Sequence, residues 1–176
     1  GATVAEFDGH RIDFGRFRRM SMREAVIEYW KDGERPSMEQ LHDAEWLKQR
    51  STKATAGEAV LDLFERYAEA ELIQPTIIYD YPVEVSPLAK KAADHRFVER
   101  FEVFALGSEI GNNYSELNDP MDLERRFIAE KKKEAAGFDE AHQTDEDYLE
   151  AIRHGLPPAC GLGWTTGLSA LPPGRR

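Results

Sequence analysis

Phe101-Glu102-Val103-Phe104-Ala105-Leu106-Gly107-Ser108-Glu109-Ile110-Gly111-Asn112-Asn113-Tyr114-Ser115-Glu116-Leu117 reads as two strands joined by a tight turn. Residues 101–106 are apolar on both faces except at Glu102, as expected of a strand inside a sheet. Gly107-Ser108 supplies the turn, and the second strand runs from Glu109 to Leu117. So short a connection makes the pair antiparallel. Alternate side chains of a strand share a face, so Asn112, Tyr114 and Glu116 project together. An amide, a phenol and a carboxylate on one face suit an organic cation that carries further hydrogen-bonding groups. Strict alternation puts Glu109, seven residues before Glu116, on the other face. A bulge at Gly111 would bring the two carboxylates together, and such a pair would suit Mg²⁺, which takes oxygen ligands. The same pattern also fits an edge strand with a wet outer face.

Outward from this hairpin the chain alternates helix and strand. Met20 to Tyr29 has helical spacing, and Ser37 can cap a second helix carrying Leu41, Trp46 and Leu47. Thr55 and Glu58 form a capping box ahead of an apolar stripe of Val60, Leu61, Phe64, Tyr67, Ala68 and Leu72, stopped by Pro75. Thr76–Tyr79 is a short strand, and Pro82 and Pro87 bracket an extended link. Asp119-Pro120 opens a helix ending near Gly137, and Thr144 or Asp145 caps a last helix with Tyr148, Leu149 and Ile152 inward. The segment from Gly155 to Gly163 reads as a glycine-rich loop that allows close approach of a flat ligand. Helices mixed with antiparallel strands place the chain in the α+β class.

Composition narrows the function. The 176 residues carry 23 Lys+Arg against 33 Asp+Glu, a formal net charge of −10. Residues 1–53 are neutral, so the whole acidic excess lies in residues 54–176. That balance argues against general affinity for phosphate backbones. One cysteine, Cys160, excludes a disulfide framework and a cysteine-rich zinc site. The five histidines show no metal-ligand spacing. With no long apolar run and no signal-like start, the expectation is a cytoplasmic protein without a membrane span.

Three ordered segments resemble the class II lysyl-tRNA synthetases. Gln74 to Lys90 resembles the stretch before the last strands of that family's catalytic domain, and Glu109 to Pro120 its lysine and metal strand. Asp145 to Gly163, with Gly155-Leu156-Pro157-Pro158 and Gly161-Leu162-Gly163, resembles the approach to motif 3. The resemblance implies a partial class II catalytic domain over residues 1–163, an antiparallel sheet flanked by helices. It also implies that Asn112, Tyr114 and Glu116 bind lysine, with Glu116 facing the side-chain ammonium. Glu109, Gly161 and Gly163 would bind ATP, and Glu109 and Glu116 would hold Mg²⁺. No side chain is assigned a catalytic role. The implied partners are lysine, ATP and tRNA(Lys), the parent enzyme being a homodimer. The implied reaction forms lysyl-adenylate, then transfers the lysyl group to the tRNA terminal ribose.

The wording departs from the family in two places. Motifs 1 and 2 and the anticodon-binding domain are not found, so the expectation is the C-terminal part of a catalytic domain, inactive alone. After Gly163 the family's Asp-Arg pair is replaced by Trp164-Thr165-Thr166-Gly167-Leu168, which a one-base slip in the coding DNA could generate. Residues 164–176 are accordingly expected to be a non-native or disordered tail. Two alternatives stay open: a paralogue that attaches lysine or a related amino acid to a protein, and a non-catalytic lysine- or nucleotide-binding fragment.

Overall fold

In the computed structural model, which describes residues 3–7, 9–135 and 145–164, Val4–Phe7 (β1) and His10–Asp13 (β2) form a small antiparallel hairpin. Five further strands make the main sheet: Arg18–Ser21 (β3), Thr76–Tyr79 (β4), Arg100–Ala105 (β5), Ser108–Ser115 (β6) and Cys160–Trp164 (β7). They lie in the order β3-β4-β5-β6-β7, with β3 parallel to β4 and every other pair antiparallel. The central strand is β5, as its apolar faces require.

Helices Met22–Glu28 (α1), Ala44–Lys48 (α2) and Ala56–Tyr67 (α3) pack together on one face of this sheet. Thr55 and Glu58 do form a capping box at the start of α3. Its buried stripe is Val60, Leu63, Phe64 and Tyr67, with Leu61 only half-buried. The ring of Phe64 meets that of Phe104 on β5 edge-on, centroids 5.5 Å apart, and so joins helix layer to sheet. Beyond β6, Pro120–Ala135 (α4) and Glu146–Arg153 (α5) share a smaller core of Leu117, Leu123, Phe127, Leu149 and Ile152. Asp119 and Asp145 cap these two helices as expected, whereas Gly137 and Thr144 lie outside the described residues.

Several local expectations are corrected. Met20 belongs to β3, and α1 starts two residues later on a Ser21–Glu24 capping box. Ser37 caps only a turn, by accepting from Gln40 N, while Asp43 caps α2. The link between Pro82 and Pro87 contains a 3-10 turn at Val83–Val85. The hairpin turn is Leu106-Gly107, one residue earlier than read, and both residues have positive φ, +58° and +68°. Such a two-residue turn matches the twist of its strands. Gly107 packs against Ala70 so closely that a Cβ would stand 2.8 Å from that carbonyl oxygen. The largest correction is β7. The glycine-rich segment is a strand from Cys160, with Trp164 paired to Gly111, so β6 is an inner strand and not an edge. Residues 165–176 lie outside the described residues.

Candidate active site

Strand pairing decides which side chains meet. The β5–β6 register pairs Arg100 with Tyr114, Glu102 with Asn112 and Val103 with Gly111, then shifts so that Phe104 faces Glu109. Ile110 is therefore the extra residue of a bulge beside Gly111. Directly opposed residues share a sheet face, so the shift turns Glu109 onto the face of Asn112 and Tyr114. Arg100 and Glu102 stand on that face too, as do Gly161 opposite Tyr114 and Gly163 opposite Asn112. Asn112 and Tyr114, expected to share a face of β6, do so beside Gly161 and Gly163.

The glycines keep that face open. A Cβ at Gly161 would come within 2.9 Å of Glu116 Oε1, so a side chain there would push the end of that carboxylate aside. Glu116 follows β6 directly; its own amide donates to Ala159 O, and the residue bridges to Ala89. Tyr148 of α5 approaches from the side. Burial first, and then the charge of Glu116, push the phenols of both Tyr114 and Tyr148 above their ordinary range. Both phenols therefore stay protonated, ready to donate around Glu116. Tyr148 points inward on its helix as the spacing predicts, half-buried against the Leu149–Ile152 core, and its nearness to Glu116 is what no local pattern shows.

At the middle of the face lies a buried polar network. Glu102, 7% exposed, accepts from Tyr81 Oη at 2.6 Å and from Asn112 Nδ2 at 3.1 Å, and it pairs with Arg100. Arg100 also donates to Ser86 Oγ at 2.8 Å and to Val85 O at 3.1 Å. Asn112 is oriented by Glu102, and its Oδ1 is buried without a partner among the described residues. An unpaired buried acceptor is costly and is the kind of atom a bound donor would satisfy.

The bulge brings Glu109 onto the face of Asn112 and Tyr114, seven residues before Glu116. The carboxylate that Glu109 faces is Glu102: burial first, and Glu102 second, raise the Glu109 carboxyl above its ordinary range. Glu69, beyond the end of α3, is likewise raised, by burial, then by Glu65, Glu102 and Glu109. Among the described residues there is no group of three or more metal-ligating side chains. A pair of carboxylates fits a Mg²⁺ that takes the rest of its shell from water and substrate phosphates.

An antiparallel run of strands, with acidic and amide side chains on one face beside a glycine-lined neighbour strand, is the arrangement these residues make. Comparison with known proteins identifies the family. Residues 2–167 match the family model for tRNA synthetases class II (D, K and N). Similar relatives include the lysine–tRNA ligases of Enterococcus faecalis (41% identical over 173 residues), Listeria monocytogenes (43% over 173) and Bacillus subtilis (41% over 174). Each alignment covers 93% of this chain and 34% of the relative. The chain belongs to the class II tRNA synthetase family, and it spans about a third of the length of these relatives.

Proposed function

We propose that this chain carries the amino-acid side of a lysine–tRNA ligase site, with lysine, ATP and tRNA as the substrates of the whole enzyme. The observation that carries the reading is the β6 face, where Asn112, Tyr114 and Glu116 stand over Gly161 and Gly163. Glu116, between two protonated phenols, receives the lysine ammonium, a charge-assisted pairing that neutral side chains cannot match. Asn112 Oδ1, held outward by Glu102, accepts a second hydrogen from the amino acid.

Lysine held so is positioned for one of its carboxylate oxygens to attack the α-phosphorus of ATP. Pyrophosphate leaves with the electrons of the broken P–O bond, and lysyl-adenylate remains. A ribose hydroxyl at the tRNA end then takes the lysyl group, losing its proton, and AMP departs. The protein's part is orientation of the reactants in a shared site. Glu109, together with Glu116 or with its neighbour Glu102, would hold Mg²⁺, which when bound offsets the charge of the phosphates. Gly163 leaves the surface opposite Asn112 free of side chains, as a flat nucleoside requires.

Calorimetric titration of the chain with lysine, with and without ATP and Mg²⁺, tests the reading. Lysine heats should vanish in Glu116→Gln, while the variant keeps the wild-type melting temperature. Equal lysine binding by wild type and Glu116→Gln would show that the carboxylate does not recognise the ammonium.

A further inference from the structure

On the far side of Glu116 a cleft of about 650 Å³ opens between the segment Lys90–His95 and the start of α4. Lys90, Lys91, His95, Arg125 and Arg126 line it, with Asp119 and Asp122 as its acidic groups. Both acids are engaged. Asp119 accepts the amides of Met121 and Asp122 at the helix start, and Asp122 pairs with Lys91 at 2.9 Å and Arg126 at 2.7 Å. Lys90 and Arg125 are exposed and have no carboxylate partner among the described residues. Arg126 is the fixed element. Its side chain is 10% exposed, and one guanidinium nitrogen is held by the carbonyls of Ser86, Pro87 and Ala89. Its Nε–H is buried without a partner among the described residues. In a chain of net charge −10, four permanent cations around two satisfied carboxylates form a local reversal of sign. Spread over such a volume, they suit an anion with several charged oxygens, as guanidinium and ammonium groups bind phosphate.

We propose that this cleft holds backbone phosphates of an RNA, an inference that rests on the reading of the chain as part of a tRNA ligase. The wall of the cleft is tied to the ligand strand. Lys90 N donates to Ser115 O at 2.8 Å, Leu117 N donates to Leu88 O at 2.9 Å, and Ala89 bridges to Glu116. RNA seated there is registered against the strand that carries Asn112, Tyr114 and Glu116. The acidic excess of residues 54–176 therefore does not extend to this surface.

The test is anisotropy of a labelled RNA hairpin on the whole chain, between about 50 mM and about 200 mM salt. Lys90→Ala/Arg125→Ala removes two exposed cations, so folding is preserved and the melting temperature checks it. The double variant should bind about tenfold or more weakly at low salt, with a log–log salt slope smaller by about 2, one for each lost phosphate contact. Arg16→Ala/Lys48→Ala removes the same charge at a distance and should stay within about twofold of wild type. Equal losses in the two double variants would overturn the proposal, as would wild-type RNA binding too weak to measure. Tripolyphosphate that binds the wild type and is lost in the cleft variant, with no RNA binding, would overturn RNA as the ligand. Lysine titration separates the two inferences. An unaffected RNA affinity with lysine binding intact defeats the cleft alone, whereas absent lysine binding in wild type defeats the proposed function.

Discussion

Replacing Tyr81 by Phe deletes one oxygen from the centre of the site and leaves the ring in place. The phenol is 1% exposed and donates to Glu102 Oε2 at 2.6 Å, while Arg100 and Asn112 both donate to Oε1. Burial, and after it the negative charge of Glu102, hold the Tyr81 phenol well above its ordinary range, so it remains a donor throughout the working pH range. Without it, Oε2 keeps its charge in a buried position and has no remaining donor. A hydrogen bond to a charged group contributes about 1.5–3 kcal/mol. For a domain of this size each 1 kcal/mol moves the melting temperature by about 2–4 °C, so Tyr81→Phe should lower it by about 3–12 °C.

Urea unfolding followed by tryptophan fluorescence reads that loss directly. Glu102→Gln supplies the partner measurement, since an amide offers one acceptor oxygen where the carboxylate offers two. Tyr81 and Arg100 then compete for it, and the double variant should show a coupling of at least about 0.5 kcal/mol against the sum of the singles. Lysine affinity should fall alongside stability in each variant, because the same carboxylate orients Asn112. A Tyr81→Phe effect within about 0.5 kcal/mol, the range of ordinary surface changes, would refute the assignment of the phenol as the support of Glu102.

Two pH- and ion-dependent results are also expected. Glu109 has a raised carboxyl pKa in the folded chain, so its contribution to stability is full below the unfolded value and is lost as pH rises through the folded one. At neutral pH without Mg²⁺, Glu109→Gln should therefore melt higher than wild type; Mg²⁺ should stabilise wild type and leave the variant unmoved. A lower melting temperature for Glu109→Gln at neutral pH would contradict this. His42 shows the opposite sign. Burial, then Arg23 and Arg96, depress its pKa despite Asp94 and Glu39 nearby, so its contribution is present above the unfolded value of about 6.5 and is lost as pH falls. The urea midpoint of wild type should drop between about pH 7.5 and about pH 5.5, and His42→Asn should drop less. Equal slopes for the two proteins would remove His42 from that role.

The parts of the fold that rest on local chemistry were legible in the sequence. The Thr55–Glu58 box and the Asp119 and Asp145 caps need only a side chain and an amide three residues away, and each is found where the residues predict. The hairpin was legible because an apolar run followed by a turn admits little else. What failed depends on distant partners. Cys160-Gly161-Leu162-Gly163-Trp164 has poor intrinsic strand preference, with glycines that weaken an isolated strand. It is a strand because β6 offers it a ladder of backbone partners from Gly111 to Ser115. No local pattern contains that information, and the same pairing turns β6 from an edge into an interior strand.

Glu102 and Glu109 show how a polar residue in an apolar strand leaves a readable trace. The bulge beside Gly111 was anticipated, and it does rotate Glu109 onto the ligand face. The carboxylate whose charge it feels is Glu102, the one acidic residue of the central strand. Burying a carboxylate there is costly unless donors or a cation meet it, so an isolated Glu among Phe101, Val103, Phe104 and Ala105 already implied a built environment. The structure supplies the donors, from Tyr81, Arg100 and Asn112, and leaves Glu109 alongside with its charge opposed. Arg100, bound to Glu102, offsets one negative charge, so the pair retains about one net charge for a divalent ion to meet. That residual charge ties the metal proposal to β5 as well as β6.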